Sequence, residues 1–288
     1  MADTQSSKGP SSTKGQDKKR KREDGHRTAQ NSKMQKRWSK DKKFNKNNNK
    51  EKDKKGNGNK DDNKQLNQTA QQPEREEAID ESISKMNEQI LADHFMQKAK
   101  AHNKDLTAVE LNDMSVPVHA FQDTSSFEQE RKLTQLPDFL KTYSPEKGAR
   151  LGSASEEKGS PHTLVIAPAG LRAADLVRAL RSFQTKDAAV AKLFAKHIKI
   201  EEAKQFLERS RVSIGVGTPQ RIIDLLESGT LKTANLERIV IDGSHIDQKK
   251  RSIFDMKEVY APLLKLLARE ELKERYGAKD KDLKILVY

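Results

Sequence analysis

From residue 163 onward the chain repeats one unit: a short, largely apolar run followed by a stretch of helical periodicity. Thr163–Ala167 (TLVIA) is continuously apolar after its first residue, as expected of a strand buried on both faces. Val212–Val216, Leu236–Ile241 and Leu283–Val287 read as further strands, and Ala189–Ala195 as a weaker one. Between them, Leu176, Leu180 and Phe183 mark a helix. Ile200–Arg209 reads as a second, and Pro219–Glu227 as a third with Gly229 as its stop. Val259, Leu263, Leu266 and Leu267 mark a last long helix. Strands alternating with helices imply right-handed crossovers and a parallel sheet covered on both sides, so the expected fold class is α/β. In such sheets function collects at the carboxyl ends of the strands.

The first quarter of the chain cannot join that core. Residues 1–75 hold 22 Lys+Arg against 10 Asp+Glu, a net of 22 − 10 = +12, whereas residues 76–288 hold 34 against 33. Trp38 and Phe44 are the aromatic residues of that stretch, and aliphatic side chains are almost absent. Too little apolar area is available to offset the entropy of ordering, so 1–75 reads as a disordered basic tail. Its Lys and Arg side chains would displace counterions from nucleic acid, weakly and without sequence choice. Lys18, Lys19, Arg20, Lys21 and Arg22 form an expected nuclear import signal, with Lys33 to Arg37 at a bipartite spacing. The competing reading is that the charge only solubilises.

Cysteine is absent, which excludes a disulfide framework, a thiolate metal site and a cysteine nucleophile, and fits a reducing compartment. No apolar run approaches the roughly 18 residues that span a bilayer. The first residues, MADTQSSKGPSSTKG, lack the apolar core of a secretory signal, so an intracellular protein without a membrane partner is expected.

Residues 76–104 are expected to form one amphipathic helix, since Ile79, Ile83, Met86 and Ile90 recur at steps of four, three and four, with Leu91 and Phe95 widening the face. It could pack on the domain in cis or dock a partner. Thr107 and Glu110 have capping-box spacing. A helix is expected to end near Tyr143, and 144–161 to be a loop within a domain covering 105–288.

After the strands stand Pro168-Ala169-Gly170-Leu171-Arg172, Gly217-Thr218-Pro219-Gln220-Arg221 and Asp242-Gly243-Ser244-His245. In this order they resemble the P-T-R-E-L, T-P-G-R and D-E-A-D motifs of the first, RecA-like lobe of DEAD-box RNA helicases. The resemblance covers roughly 160–288 well and 107–145 loosely, and it implies a single RecA-like lobe. The departures bear on activity. No G-x-x-x-x-G-K-[ST] loop occurs to cradle a triphosphate. Asp242, a magnesium-holding residue in the family, is kept, but the Glu that positions the attacking water is replaced by Gly243, and the last Asp by His245. Glycine cannot act as a general base. An S-A-T motif and a second lobe are not found in this sequence. An enzyme is therefore not expected, nor a cofactor or metal; His245 is assigned a structural role.

What is kept would touch a phosphodiester backbone. Thr218 as N-cap and Pro219 at the first helical position would present N–H groups and a helix dipole to a phosphate, with Arg221 in the same turn and Arg172 one turn into the previous helix. Helix capping alone also accounts for the Thr-Pro pair. Gly215-x-Gly217 lacks the third glycine of a dinucleotide fingerprint.

A basic tail, a helix and a lobe with D-G-S for D-E-A and no phosphate loop are together similar to the CMS-one family. The resemblance is carried by DLTAVELNDMSVPVHAFQDTS, TLVIAPAGLRAADLVRALRSF and VGTPQRIIDLL…IVIDGSHIDQK. It implies a nuclear, nucleolar role in the small-subunit processome, with pre-ribosomal RNA and pre-ribosomal proteins as partners. Two other functions stay open at the level of sequence: an RNA-dependent ATPase with an unusual site, and a chromatin or replication factor whose tail binds DNA.

Overall fold

Strands with apolar side chains on both faces need cover on both, and helices supply it. A computed structural model describes residues 77–288. The expected disordered tail, residues 1–75 with the import signal Lys18–Arg22, lies outside the described residues.

The elements run α1 (Glu81–Ser84), α2 (Glu88–His102), α3 (Ala108–Asp113), α4 (Leu136–Thr142), β1 (Thr163–Ile166), α5 (Gly170–Ala179), β2 (Ala189–Leu193), α6 (Ile200–Arg209), β3 (Val212–Gly217), α7 (Pro219–Glu227), β4 (Arg238–Ile241), α8 (Lys257–Leu267), α9 (Glu270–Lys273) and β5 (Lys284–Val287). The five strands form one parallel sheet in the order β2-β3-β1-β4-β5. The fold is the expected α/β class. Alternate residues of β1 divide between two cores: Leu164 and Ile166 pack with α7 and α8, Val165 with α4 and α5. Each core buries Leu, Ile, Val and Phe side chains whose removal from water stabilises the fold by about 25 cal/mol per Å² of apolar area.

Two glycines let β3 lie in the middle of this packing. A Cβ on Gly215 would stand 2.8 Å from the Leu193 side chain and 2.9 Å from that of Leu164, and one on Gly217 would overlap the Leu193 carbonyl. The Gly215-x-Gly217 spacing thus serves strand contact. The exposed edge of β5 is covered by Phe121, which makes a parallel bridge with Ile285, and Gln122 N–H donates to the Ile285 carbonyl at 2.9 Å. Covering an edge strand blocks pairing with another chain.

The single helix expected over 76–104 is corrected to two. Asn87 ends the first segment by accepting the Ile90 N–H at 3.0 Å and so starts a new helix at Glu88. The break re-phases the apolar face. Leu91, Phe95 and Ala99 are buried, while Ile90 is 48% exposed. Helix α2 packs in cis, with Phe95 edge-on to Phe121 and Phe254 and its carbonyl accepting the Tyr260 hydroxyl at 2.6 Å. The Thr107–Glu110 capping box forms, with both reciprocal hydrogen bonds.

Leu91→Ala should destabilise the chain by about 2–5 kcal/mol, the cost of a cavity in a packed core. Ile90→Ala should cost about 0.5 kcal/mol or less, as for a surface position. Urea unfolding of both variants distinguishes this face from the one centred on Ile90.

Candidate functional site

The loops after β1, β3 and β4 all lie at the carboxyl end of the sheet, where the strand order reverses around β1. Their side chains do not leave an open crevice there. Asp242, just after β4, is buried, and Arg172 of α5 reaches it with two parallel hydrogen bonds, Nε to Oδ2 at 2.9 Å and Nη2 to Oδ1 at 3.1 Å. The two side chains are 6% and 2% exposed. A second carboxylate, Glu77, stands 3.4 Å from Arg172 Nη1 and also accepts the Leu133 N–H at 2.8 Å.

Charge explains the arrangement. A lone buried carboxylate is expensive, and the planar guanidinium fork matches both of its oxygens. Burial by itself would depress Arg172, but Asp242 and then Glu77 outweigh it and hold the guanidinium raised. The expectation that Arg172 offers N–H groups to an RNA phosphate is corrected: those groups are directed at Asp242 and Glu77.

The segment bearing Glu77 is tied across this end. Ile79 bridges His245 antiparallel, Asp80 N–H donates to the Ser244 carbonyl at 2.8 Å, and Ile246 N–H donates to the Ala78 carbonyl at 3.0 Å. Tyr288 closes the other side. Its carbonyl accepts the N–H groups of Gly243 and Ser244, each at 2.8 Å, and its hydroxyl donates to the Lys132 carbonyl. Burial, reinforced by Asp242, raises the Tyr288 phenol, so it stays protonated. Beneath it Arg131, fully buried, donates to the carbonyls of Val287 and Thr124 and lies over the Phe139 ring. Burial lowers Arg131 to about 10, so it remains a cation at pH 7.

Gly243 sits where the general-base Glu would be, and packing demands glycine. An added Cβ would stand 2.5 Å from Val287 Cγ1 and 3.1 Å from the Phe254 ring. Ser244 Oγ and His245 Nδ1 are buried without hydrogen-bond partners. His245 is depressed by burial first, with Arg172 acting the same way and Asp242 against.

The other expected site residues stand apart from this cluster. Thr218 has extended N-cap backbone (φ −94°, ψ 150°), but its side chain makes no capping hydrogen bond. Arg221 is half-buried and donates to the Ile198 carbonyl at 3.2 Å, while Gln220 turns to Asp224 at 2.8 Å. Glu77, Arg131 and Tyr288 were not read as site residues from sequence. A kept but buried Asp242 is the signal that a counter-cation is needed; which cation supplies it depends on tertiary contact. Among the described residues no group of three or more His, Asp or Glu side chains is placed to hold a metal, and no helix is long and apolar enough to cross a membrane.

Fold and site define an α/β lobe on a five-stranded parallel sheet, with a buried Arg172–Asp242 ion pair at the carboxyl end of the strands. The family model for "CMS1: U3-containing 90S pre-ribosomal complex subunit" matches residues 3–288, and the chain belongs to that family. It is 52% identical over 213 residues to Protein CMS1 of Chaetomium thermophilum, covering 74% of this chain and 84% of that one. Protein CMSS1 of Homo sapiens is 36% identical over 160 residues, covering 55% and 54%. A crystal structure of a DEAD box protein from Methanococcus jannaschii overlaps with a TM-score of 0.33 at 18% identity, covering 55% of this chain and 37% of that one.

Removing one charge of the pair is expected to be far worse than removing both. Arg172→Met should cost about 3–5 kcal/mol by leaving Asp242 buried and unpaired, and adding Asp242→Leu should recover most of it. Chemical unfolding of the single and double variants measures the difference. Stability should also fall as pH drops below the ordinary histidine value of 6.5, because the unfolded chain takes up a proton that folded His245 resists. His245→Asn should decline less steeply across that window in unfolding at stepped pH.

Proposed function

We propose that the chain is a non-catalytic assembly factor of the 90S pre-ribosomal complex. In this reading the α/β lobe is a docking scaffold for pre-ribosomal proteins, and the basic residues 1–75 hold pre-ribosomal RNA by its phosphates. The protein then works in the nucleus, at the nucleolus, in early small-subunit assembly and pre-rRNA processing. Membership of a family described as a 90S pre-ribosomal complex subunit supports the setting.

The observation that carries the non-catalytic reading is the bidentate Arg172–Asp242 pair. A carboxylate that would hold magnesium on a triphosphate is instead neutralised by an internal arginine. Its neighbour is Gly243, which has no proton-accepting group and no space for one. The phosphate-cradling loop is absent from the whole sequence. Each of these removes a separate requirement of phosphoryl transfer: metal, water activation and phosphate anchoring.

RNA contact through residues 1–75 has a measurable signature. Their net charge of +12 (22 − 10) makes binding to single-stranded RNA fall steeply with salt, with a log–log slope of about −0.7 per phosphate neutralised. Replacing Lys18–Arg22 by serine should flatten that slope and weaken nuclear accumulation of a fluorescent fusion.

Crosslinking in cells with sequencing of bound nucleic acid tests the assignment. Reads concentrated on ribosomal precursor transcripts, and co-sedimentation with large pre-ribosomal particles, are expected. Reads dominated by genomic DNA would favour a chromatin role instead. Purified chain should release no more phosphate from ATP than an Asp242→Ala variant does; turnover abolished by that substitution would restore the enzymatic reading.

A further inference from the structure

Acid-directed serine/threonine kinases read a carboxylate three residues beyond the acceptor hydroxyl, because their peptide grooves are basic. Among the described residues five hydroxyls have an Asp or Glu at that spacing: Thr107, Ser125, Ser153, Ser244 and Ser252. Four of them are engaged or sealed. Thr107 donates to Glu110 Oε2 at 2.8 Å inside its capping box. Ser252 is 4% exposed and donates to Asp255 Oδ2 at 2.7 Å. Ser244 is buried, and the Ser125 hydroxyl is bonded to the Asp123 carboxylate. Ser153 is exposed, and its hydroxyl has no hydrogen-bond partner among the described residues.

Ser153 stands in the loop before β1, at the amino end of the sheet. A turn ends at Gly152, and residues 153–155 belong to no helix, strand or turn. Arg211 holds one side of this stretch, with Nη2 donating to the Ala154 carbonyl at 2.7 Å and Nε to the Ser155 carbonyl at 2.9 Å. Glu156, the carboxylate three residues on, has a side chain 91% exposed, although Arg211 Nη2 approaches it to 3.0 Å. Ser155 does not compete. Its Oγ accepts from the Glu157 N–H at 3.1 Å and from Asn235 Nδ2 at 3.0 Å, and the residue three beyond it is Lys158. Acceptor hydroxyl and recognition carboxylate are thus both at the surface, on a stretch without secondary structure to unfold.

The surroundings suit the product of such a reaction. The Ser153 N–H donates to the Arg150 carbonyl at 2.9 Å, so the two residues share one turn. Both line a cavity of about 250 Å³, together with Glu237 and Arg238 near the start of β4. Arg150 is exposed and makes no ion pair among the described residues, and its charge pushes both Arg238 and His162 down. Glu237, the carboxylate of this lining, is already held by Arg238 Nη2 at 2.6 Å. A phosphoserine carries about −1.5 to −2 charges at pH 7 and three acceptor oxygens, and a guanidinium fork meets two of them at once. A phosphate on Ser125 would instead stand beside the carboxylate of Asp123.

We propose that Ser153 is a phosphorylation site for an acid-directed serine/threonine kinase, and that Arg150 holds the phosphate. The γ-phosphoryl group of ATP passes to Ser153 Oγ. The new P–O bond forms as the bond to the oxygen bridging the β-phosphate breaks, the hydroxyl proton goes to the kinase's base, and ADP leaves. The kinase binds the ATP, so the step makes no use of the Asp242 cluster. The inference does not rest on the proposed binding of RNA by residues 1–75.

The test incubates the purified full chain with casein kinase II and ATP, digests it with trypsin and fragments the peptide 151–158 (LGSASEEK) by tandem mass spectrometry. Phosphate on Ser153 is expected, and incorporation there should slow by about tenfold in Glu156→Gln. Phosphate on Ser155 instead, or none on this peptide when casein in the same tube is fully modified, overturns the site. A rate at Ser153 that Glu156→Gln leaves intact overturns the acid-directed recognition. The phosphate contact is read separately by phosphorus-31 NMR of the modified chain across pH. Free phosphoserine loses its second proton near pH about 6. Beside Arg150 that midpoint should fall by about half a pH unit or more, and Arg150→Ala, a change at an exposed position, should restore it. Equal midpoints in the two proteins overturn the role of Arg150.

Discussion

A buried carboxylate at the end of β4 has to be neutralised, and this requirement organises the carboxyl end of the sheet. Asp242 is nearly removed from solvent, so its charge is tolerable only because Arg172 meets both oxygens. Arg172 in turn brings in Glu77, and Glu77 draws the segment before α1 across the strand ends. Tyr288 and Arg131 complete the closure by accepting and donating to backbone groups that would otherwise be orphaned beside β5. The result is a polar cluster built on side chains from positions 77 to 288, far apart in sequence and interdependent in space.

That interdependence makes the helical segment at the amino side part of the lobe. Ile79 and Asp80 pair with His245 and Ser244, and further along, in α2, Phe95 is locked among Phe121, Phe254 and Tyr260. The α2 face contributes to the same core as α7 and α8.

The two ends of the sheet have opposite characters. At the carboxyl end two carboxylates, Asp242 and Glu77, surround the Arg172 guanidinium, and Gly243 stands beside them with no room for a side chain. At the amino end the balance is reversed, with the guanidiniums of Arg150 and Arg238 beside the single lining carboxylate, Glu237.

Local patterns were legible directly. Continuous apolar runs such as Thr163–Ile166 specify a two-sided buried strand, Thr107 with Glu110 specifies a cap, and Gly229 in the left-handed region (φ +72°) stops a helix. The absence of a phosphate loop and the change to Gly243 are facts of sequence alone. Phase and pairing were not legible. One asparagine at 87 moved the buried face from Ile90 to Leu91, because a side-chain cap competes with helix continuation on equal terms. Arg172 looked like a surface cation because its partner is 70 residues away, and His162 and Arg238 share a cavity only because β1 and β4 are neighbours. Sequence determines which segments must bury apolar surface and which chemical groups exist; tertiary structure decides which charges meet, since Coulomb energy and desolvation depend on distance and burial that strand order alone creates.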